Sequence, residues 1–244
     1  MNRVVIRSWS AWSPGRADAT AWEAWARDPV PLEKDGRPDA AFLPALLRRR
    51  CSPLSRIVLT TAFACCPEPE RREARSVFAS RHGNINESIG LVEAIAQKKP
   101  ISPTRFSHTV HNAQAGLFSI AAENRRTSSS IAAVEDTFAC GFIEALTHLQ
   151  RDPHRPVLFV VADVPLAPTF APLVEEAVAS YGVALLLARD GDGGAVSFGP
   201  AAGRPEGSAL RWPDATEFLR WWVTGEKELT LGDGSRAWHW QRAS

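Results

Sequence analysis

The chain has 244 residues, 45% of them hydrophobic and 23% charged, a size and balance that suit one well-buried soluble domain. Its 28 basic and 27 acidic residues leave a net charge of +1, so no global field recruits nucleic acid or a membrane surface, and Arg48-Arg49-Arg50 and Arg125-Arg126 read as solvated faces. The longest apolar segment, Ile57 to Cys66, falls well short of the roughly 18 residues of a membrane span. Met1 to Ser13 lacks the apolar core of a secretion signal, and the chain is expected to be cytoplasmic. Cys51, Cys65, Cys66 and Cys140 form no CxxC pair and no metal spacing with the six histidines, which predicts reduced, mostly buried thiols, no metal and no cofactor.

Val4-Val5-Ile6 and the run to Trp12 predict a first strand, stopped at Pro14-Gly15. Residues 19 to 27, with Trp22 and Trp25, predict a short helix. Residues 28 to 44 hold four prolines and Asp35-Gly36, the composition of a loop. Ser52-Pro53 is an N-cap with proline at the first helical position, followed by Leu54, Ile57, Val58 and Thr61 at helical spacing. Val77-Phe78-Ala79 reads as a strand ending in Arg81-His82-Gly83.

Ile85, Ile89, Val92 and Ile95 recur at intervals of 4, 3 and 3, one face of a helix that closes on Lys98-Lys99-Pro100. A second helical stripe starts near Thr109 and runs through Gly116, Leu117 and Ile120; Ser128 to Val134 leans to strand. Glu135-Asp136-Thr137 opens the clearest helix, with Phe138, Phe142, Leu146 and Leu149 at intervals of 4, 4 and 3. Val157 to Val161 and Val183 to Ala188 are continuous apolar runs of strand length, the pattern of strands buried on both faces. The order implies a layered α/β domain. The tail from Pro200 carries five of the nine tryptophans, Trp212, Trp221, Trp222, Trp238 and Trp240, which suit either packing against the sheet or an exposed aromatic surface for a partner.

Four stretches in order carry a resemblance. Cys51-Ser52-Pro53-Leu54-Ser55-Arg56 is similar to the P-L-S-R start of an early ketosynthase helix, and Val77 to Gly83 to a strand ending in a glycine-containing loop. Ile101-Ser102-Pro103-Thr104-Arg105-Phe106 through His111-Asn112-Ala113-Gln114-Ala115-Gly116 resembles the segment lining the dimer contact, and Thr127 to Leu149 the nucleophile elbow with its long helix. Together they cover roughly residues 1 to 200 and resemble the β-ketoacyl synthase-like, N-terminal family, short proteins of aryl polyene and related pigment pathways. The resemblance implies a thiolase-like fold: one domain over 1–244 equivalent to the N-terminal half, with a core over 1–199 and a tryptophan-rich elaboration over 200–244.

Active ketosynthases hold their cysteine at this elbow, where the helix N-terminus stabilises a thiolate. In the register set by Phe138, Phe142 and Leu146 that position falls on Glu135, and a carboxylate cannot form the thioester that condensation requires. Chain-length-factor subunits carry glutamine there. Cys140, five residues on, is expected to be a packing residue. After residue 154 the single histidine is His239, and no histidine-containing or glycine-rich catalytic motif follows.

What the resemblance implies is therefore a non-catalytic chain-length-factor-like subunit that pairs with a full-length ketosynthase and meets acyl carrier protein through that complex. Phe106, His111, Asn112, Phe118 and Phe138 are the tunnel or partner-facing candidates. Two alternatives stay open: a malonyl-carrier-protein decarboxylase using Glu135, and a Cys140-dependent acyltransferase.

Overall fold

The computed structural model describes residues 2–170, 172, 179–203, 212–233 and 236–243. Eight strands form one sheet in the order β3-β2-β4-β5-β1-β6-β8-β7. They are β1 (Asn2–Trp12), β2 (Arg75–Ala79), β3 (Ser128–Ile131), β4 (Val157–Asp163), β5 (Tyr181–Ala188), β6 (Gly194–Ala201), β7 (Glu228–Asp233) and β8 (Arg236–Arg242). β2 runs parallel to β3 and β4, and the remaining pairs are antiparallel.

The central strands show why the apolar runs are continuous. Along β4, Val157, Phe159 and Val161 enter one core, whereas Leu158, Val160 and Ala162 enter the core on the opposite face. The first core is covered by α1 (Ala19–Arg27), α8 (Thr137–Arg151) and α9 (Asp214–Thr224), the second by α3 (Pro53–Cys65) and α7 (Ala113–Ala121), and the short α2 (Ala45–Arg50) and α4 (Glu70–Glu73) bury no residue. The result is a three-layer α/β/α sandwich.

Local chemistry sets the helix starts. The Asp18 carboxylate accepts the Ala21 N–H at 2.9 Å to cap α1, and Ser52 Oγ accepts the Ser55 N–H at 3.1 Å ahead of Pro53 to cap α3. In α8, Gly141 lies against β4 and β2: a Cβ there would meet Phe159 at 2.6 Å and Ala79 at 3.0 Å, so only glycine permits this helix-to-sheet distance.

One open choice closes and two expectations change. The tail tryptophans pack: Trp212, Trp221 and Trp240 are buried and Trp222 and Trp238 lie against the same core, so they form no exposed aromatic surface. The stripe expected from Thr109 is broken, with α6 (Pro103–Ser107) ending before a turn at Val110–Ala113 and α7 starting at Ala113. The reason is that His111 turns back to the end of β2, as described below. Finally, α5 (Ile85–Ala96) forms as expected, but its apolar face is not in the core. Leu91 alone in it is buried; Val92 and Ile95 face solvent, because α5 packs chiefly on α6 and away from the sheet.

All four cysteines are free, and burial pushes the Cys65 and Cys66 thiols up to about 12, which keeps them protonated and unreactive. Among the described residues no helix is long and apolar enough to cross a membrane.

Candidate functional site

β3 ends at Ile131, and the chain turns sharply through a 3-10 turn at Val134–Asp136 into α8. Val134 has φ +52°, a left-handed conformation that costs an L-residue roughly 1–2 kcal/mol and that a β-branched side chain avoids most. Thr137 ties the turn. Its Oγ1 accepts the Ala133 N–H at 3.0 Å and donates to the Val134 carbonyl at 2.7 Å. Val134 (60% exposed) and Glu135 stand at the tip of this strand-to-helix elbow and point outward.

Two carboxylates in sequence are held from opposite sides. Arg81 Nη2 donates to Glu135 Oε1 at 2.6 Å. Asp136 accepts the Trp238 indole N–H at 2.9 Å and Arg236 Nη1 at 3.3 Å, both from β8.

Arg81 is itself placed by a buried carboxylate at the end of β4. Asp163 accepts the Ser80 hydroxyl at 2.7 Å, the Arg81 and His82 backbone N–H groups at 3.1 Å, and the Tyr181 hydroxyl at 3.3 Å. Burial pushes the Asp163 carboxyl above its ordinary value, against the pull of the bonds from Ser80, Arg81 and His82. His111 Nε2 donates to the Ser80 carbonyl at 3.0 Å and so fastens the α6–α7 turn to the same loop.

The expected site residues separate into three groups. Glu135, His111 and Asn112 lie around the elbow and its supporting loop, with His111 satisfying a backbone carbonyl and Asn112 exposed at the start of α7. Phe106 stands free on α6, 63% exposed. Phe118 and Phe138 do not face a tunnel or a partner. Phe118 packs on Phe78 and Phe63, and Phe138 on Phe142, Phe159, Phe218 and Trp240, so both are sealed in the interior.

Cys140 sits one turn into α8, half-buried. Burial first and the Asp136 charge second push its thiol up, with Arg236 opposing, which makes it a poor nucleophile. His239 lies on the opposite side of β8 from Trp238, with Nδ1 at 3.1 Å from Thr230 Oγ1 and Nε2 at 3.4 Å from Glu228, and offers nothing to the elbow. Among the described residues no cluster of histidine, cysteine and carboxylate side chains fits a metal ion.

Sequence reasoning missed Arg81, Asp163, Arg236 and Trp238. Asp163 alone left a signal, a carboxylate closing an apolar strand.

The family model described as "Beta-ketoacyl synthase, N-terminal domain" matches residues 22–241, nearly the whole chain. The chain belongs to the β-ketoacyl synthase N-terminal domain family. Its fold is the thiolase-like fold of ketosynthases. Among solved structures it is similar to a chain in the complex of a ketosynthase (ApeO) with its chain length factor (ApeC) from Xenorhabdus doucetiae. The identity there is 29% and the TM-score 0.81, over 98% of this chain and 99% of that one. It is also similar to the ishigamide ketosynthase/chain length factor (15% identity, TM-score 0.62, 81% of this chain and 67% of that one). A β-ketoacyl synthase from Burkholderia phymatum matches at 13% identity and TM-score 0.62, over 92% and 71% of the two chains. No match was found among curated proteins.

The strand-to-helix elbow ends in Val134-Glu135-Asp136 and carries no thiol or hydroxyl at its tip. The nearest hydroxyl, Thr137, is engaged in the turn.

Proposed function

We propose that this chain is a non-catalytic, chain-length-factor-type subunit that pairs in the cytoplasm with a full-length β-ketoacyl synthase. The pair would build polyene, polyketide or fatty-acid-type chains on acyl carrier protein. The observation that carries the reading is Glu135, a carboxylate held by Arg81 at the tip of an elbow whose strained backbone is kept although no nucleophile occupies it.

A second observation supports a protein partner. Val92, Ile95, Ile101, Phe106, Val110 and Ile120 are all exposed on α5, α6, α7 and their links. Among the described residues they account for most of the exposed large hydrophobic side chains, and the elbow's Val134 adds to them. The match to a chain of a ketosynthase–chain length factor complex over 99% of that chain's length is consistent with such a subunit.

Product length is proposed to be set by the elbow tip and by the exposed residues of Ile101 to Gly116, Phe106 first among them, with Phe118 and Phe138 acting only as core. Carrier protein would be met through the complex.

The test is reconstitution with the ketosynthase of its own pathway. Chain elongation is expected from the pair and not from this chain alone. Condensation, decarboxylation of malonyl-carrier protein, or acyl transfer by the isolated chain would refute the reading.

A further inference from the structure

Asp136 occupies the N-cap position of α8, yet its side chain makes no capping hydrogen bond. A carboxylate at that position ordinarily accepts N–H groups of the first helical turn, worth about 1 kcal/mol. Here it turns away from them and takes both its bonds from β8, 100 and 102 residues further along the chain. The donor is not loosely placed. The Trp238 ring stacks on Phe198 with an interplanar angle of 18°, so packing against the core fixes where the indole N–H points. Glu135 precedes Asp136 directly, in a turn whose left-handed Val134 needs surrounding bonds to hold it.

We infer that the C-terminal hairpin β7–β8 is the positioning device of the elbow, with Trp238 and Arg236 the positioning residues that set where Glu135 is presented. Arg81 orients the carboxylate of Glu135 from one side; the hairpin fixes its backbone from the other. The tail thus acts on the site through Asp136. Its consequence for product length rests on the proposed subunit role, whereas its effect on the elbow does not.

Trp238→Phe is the informative variant, because it keeps the stacked ring and removes only the N–H donor. In the isolated chain, amide hydrogen exchange over Ala133 to Thr137 is expected to speed up about tenfold, as for one lost part-buried hydrogen bond to a charged group, with the middle of α8 unchanged. Asp136→Asn, which leaves the hairpin intact and weakens the same bonds from the other side, should reproduce the effect if the phenylalanine variant proves unstable. Unchanged exchange in the elbow for a folded variant of either kind would overturn the inference.

In the complex with a co-expressed ketosynthase, Trp238→Phe should shift product length in the direction that Glu135→Ala does, and should add nothing in a Glu135→Ala background. Additive shifts would also overturn it. Faster elbow exchange without any ketosynthase complex would uphold the positioning role and instead remove the proposed subunit function.

Discussion

Arg81 and Glu135 meet at 2.6 Å from segments 54 residues apart, with the arginine shielded and the carboxylate largely in solvent. A pair this exposed adds at most about 1 kcal/mol to folding, so its value to the molecule is geometric. Glu135→Gln should leave the melting temperature almost unmoved while altering the products of the reconstituted pair. A large loss of stability would mean that the elbow is only structural.

No acyl-enzyme should form on this chain. A carboxylate stands at the elbow, and Cys140 is a half-buried thiol pushed above its usual range. Intact-mass spectra after incubation with acyl-carrier protein should show the unmodified mass, and Cys140→Ala should leave turnover of the pair unchanged. A stoichiometric adduct on Cys140 would contradict this.

The phenylalanines should divide by burial. Phe118 (1% exposed) and Phe138 (2%) fill the two cores, and either one replaced by alanine should cost about 3–5 kcal/mol in denaturant unfolding. Phe106→Ala should leave stability within about 0.5 kcal/mol, and its effect should appear in complex formation or product length.

Val134→Gly should stabilise the isolated chain by up to about 1 kcal/mol, since glycine adopts φ +52° without strain and the exposed valine loses little burial. The same change should weaken the complex if the elbow tip touches the partner. Destabilisation by more than about 1 kcal/mol would show the valine packed, not presented.

Asp163 gives a pH-dependent signature. Its folded pKa is raised above the ordinary 3.8, so the native state binds a proton more readily than the unfolded chain. The stability it contributes is full below 3.8 and is lost as pH rises through the folded value. Asp163→Asn replaces one acceptor oxygen by an N–H donor facing buried donors, a cost of about 1–3 kcal/mol. Because the variant does not titrate, its deficit relative to wild type should widen as pH falls from neutrality toward 4. A deficit that narrows would contradict the raised pKa.

Much of this molecule is readable from local pattern. Ser52-Pro53 predicts the start of α3, the 4, 4, 3 spacing of Phe138, Phe142, Leu146 and Leu149 predicts α8, and the apolar run at Val157 predicts the central strand. Periodicity could not say what the face of α5 packs against, because an apolar stripe looks the same whether it meets the chain's own sheet or another molecule. Nor could it sort the phenylalanines, since Phe106 and Phe118 differ in surroundings and not in type. The elbow's supports were hidden for another reason. Arg81, Asp163, Arg236 and Trp238 converge from three distant segments, and that convergence exists only once the sheet has formed.

If this chain is one half of a heterodimer, the stoichiometry of the co-expressed complex will show it. Tagged on this chain alone and sized with its mass measured in solution, the complex should hold one copy of this chain and one full-length ketosynthase. It should bury more than about 2,000 Å² and lose the partner when Phe106 or Ile120 is replaced by aspartate. Elution of this chain by itself, with the ketosynthase of its own pathway folded and present in the same sample, would contradict the account.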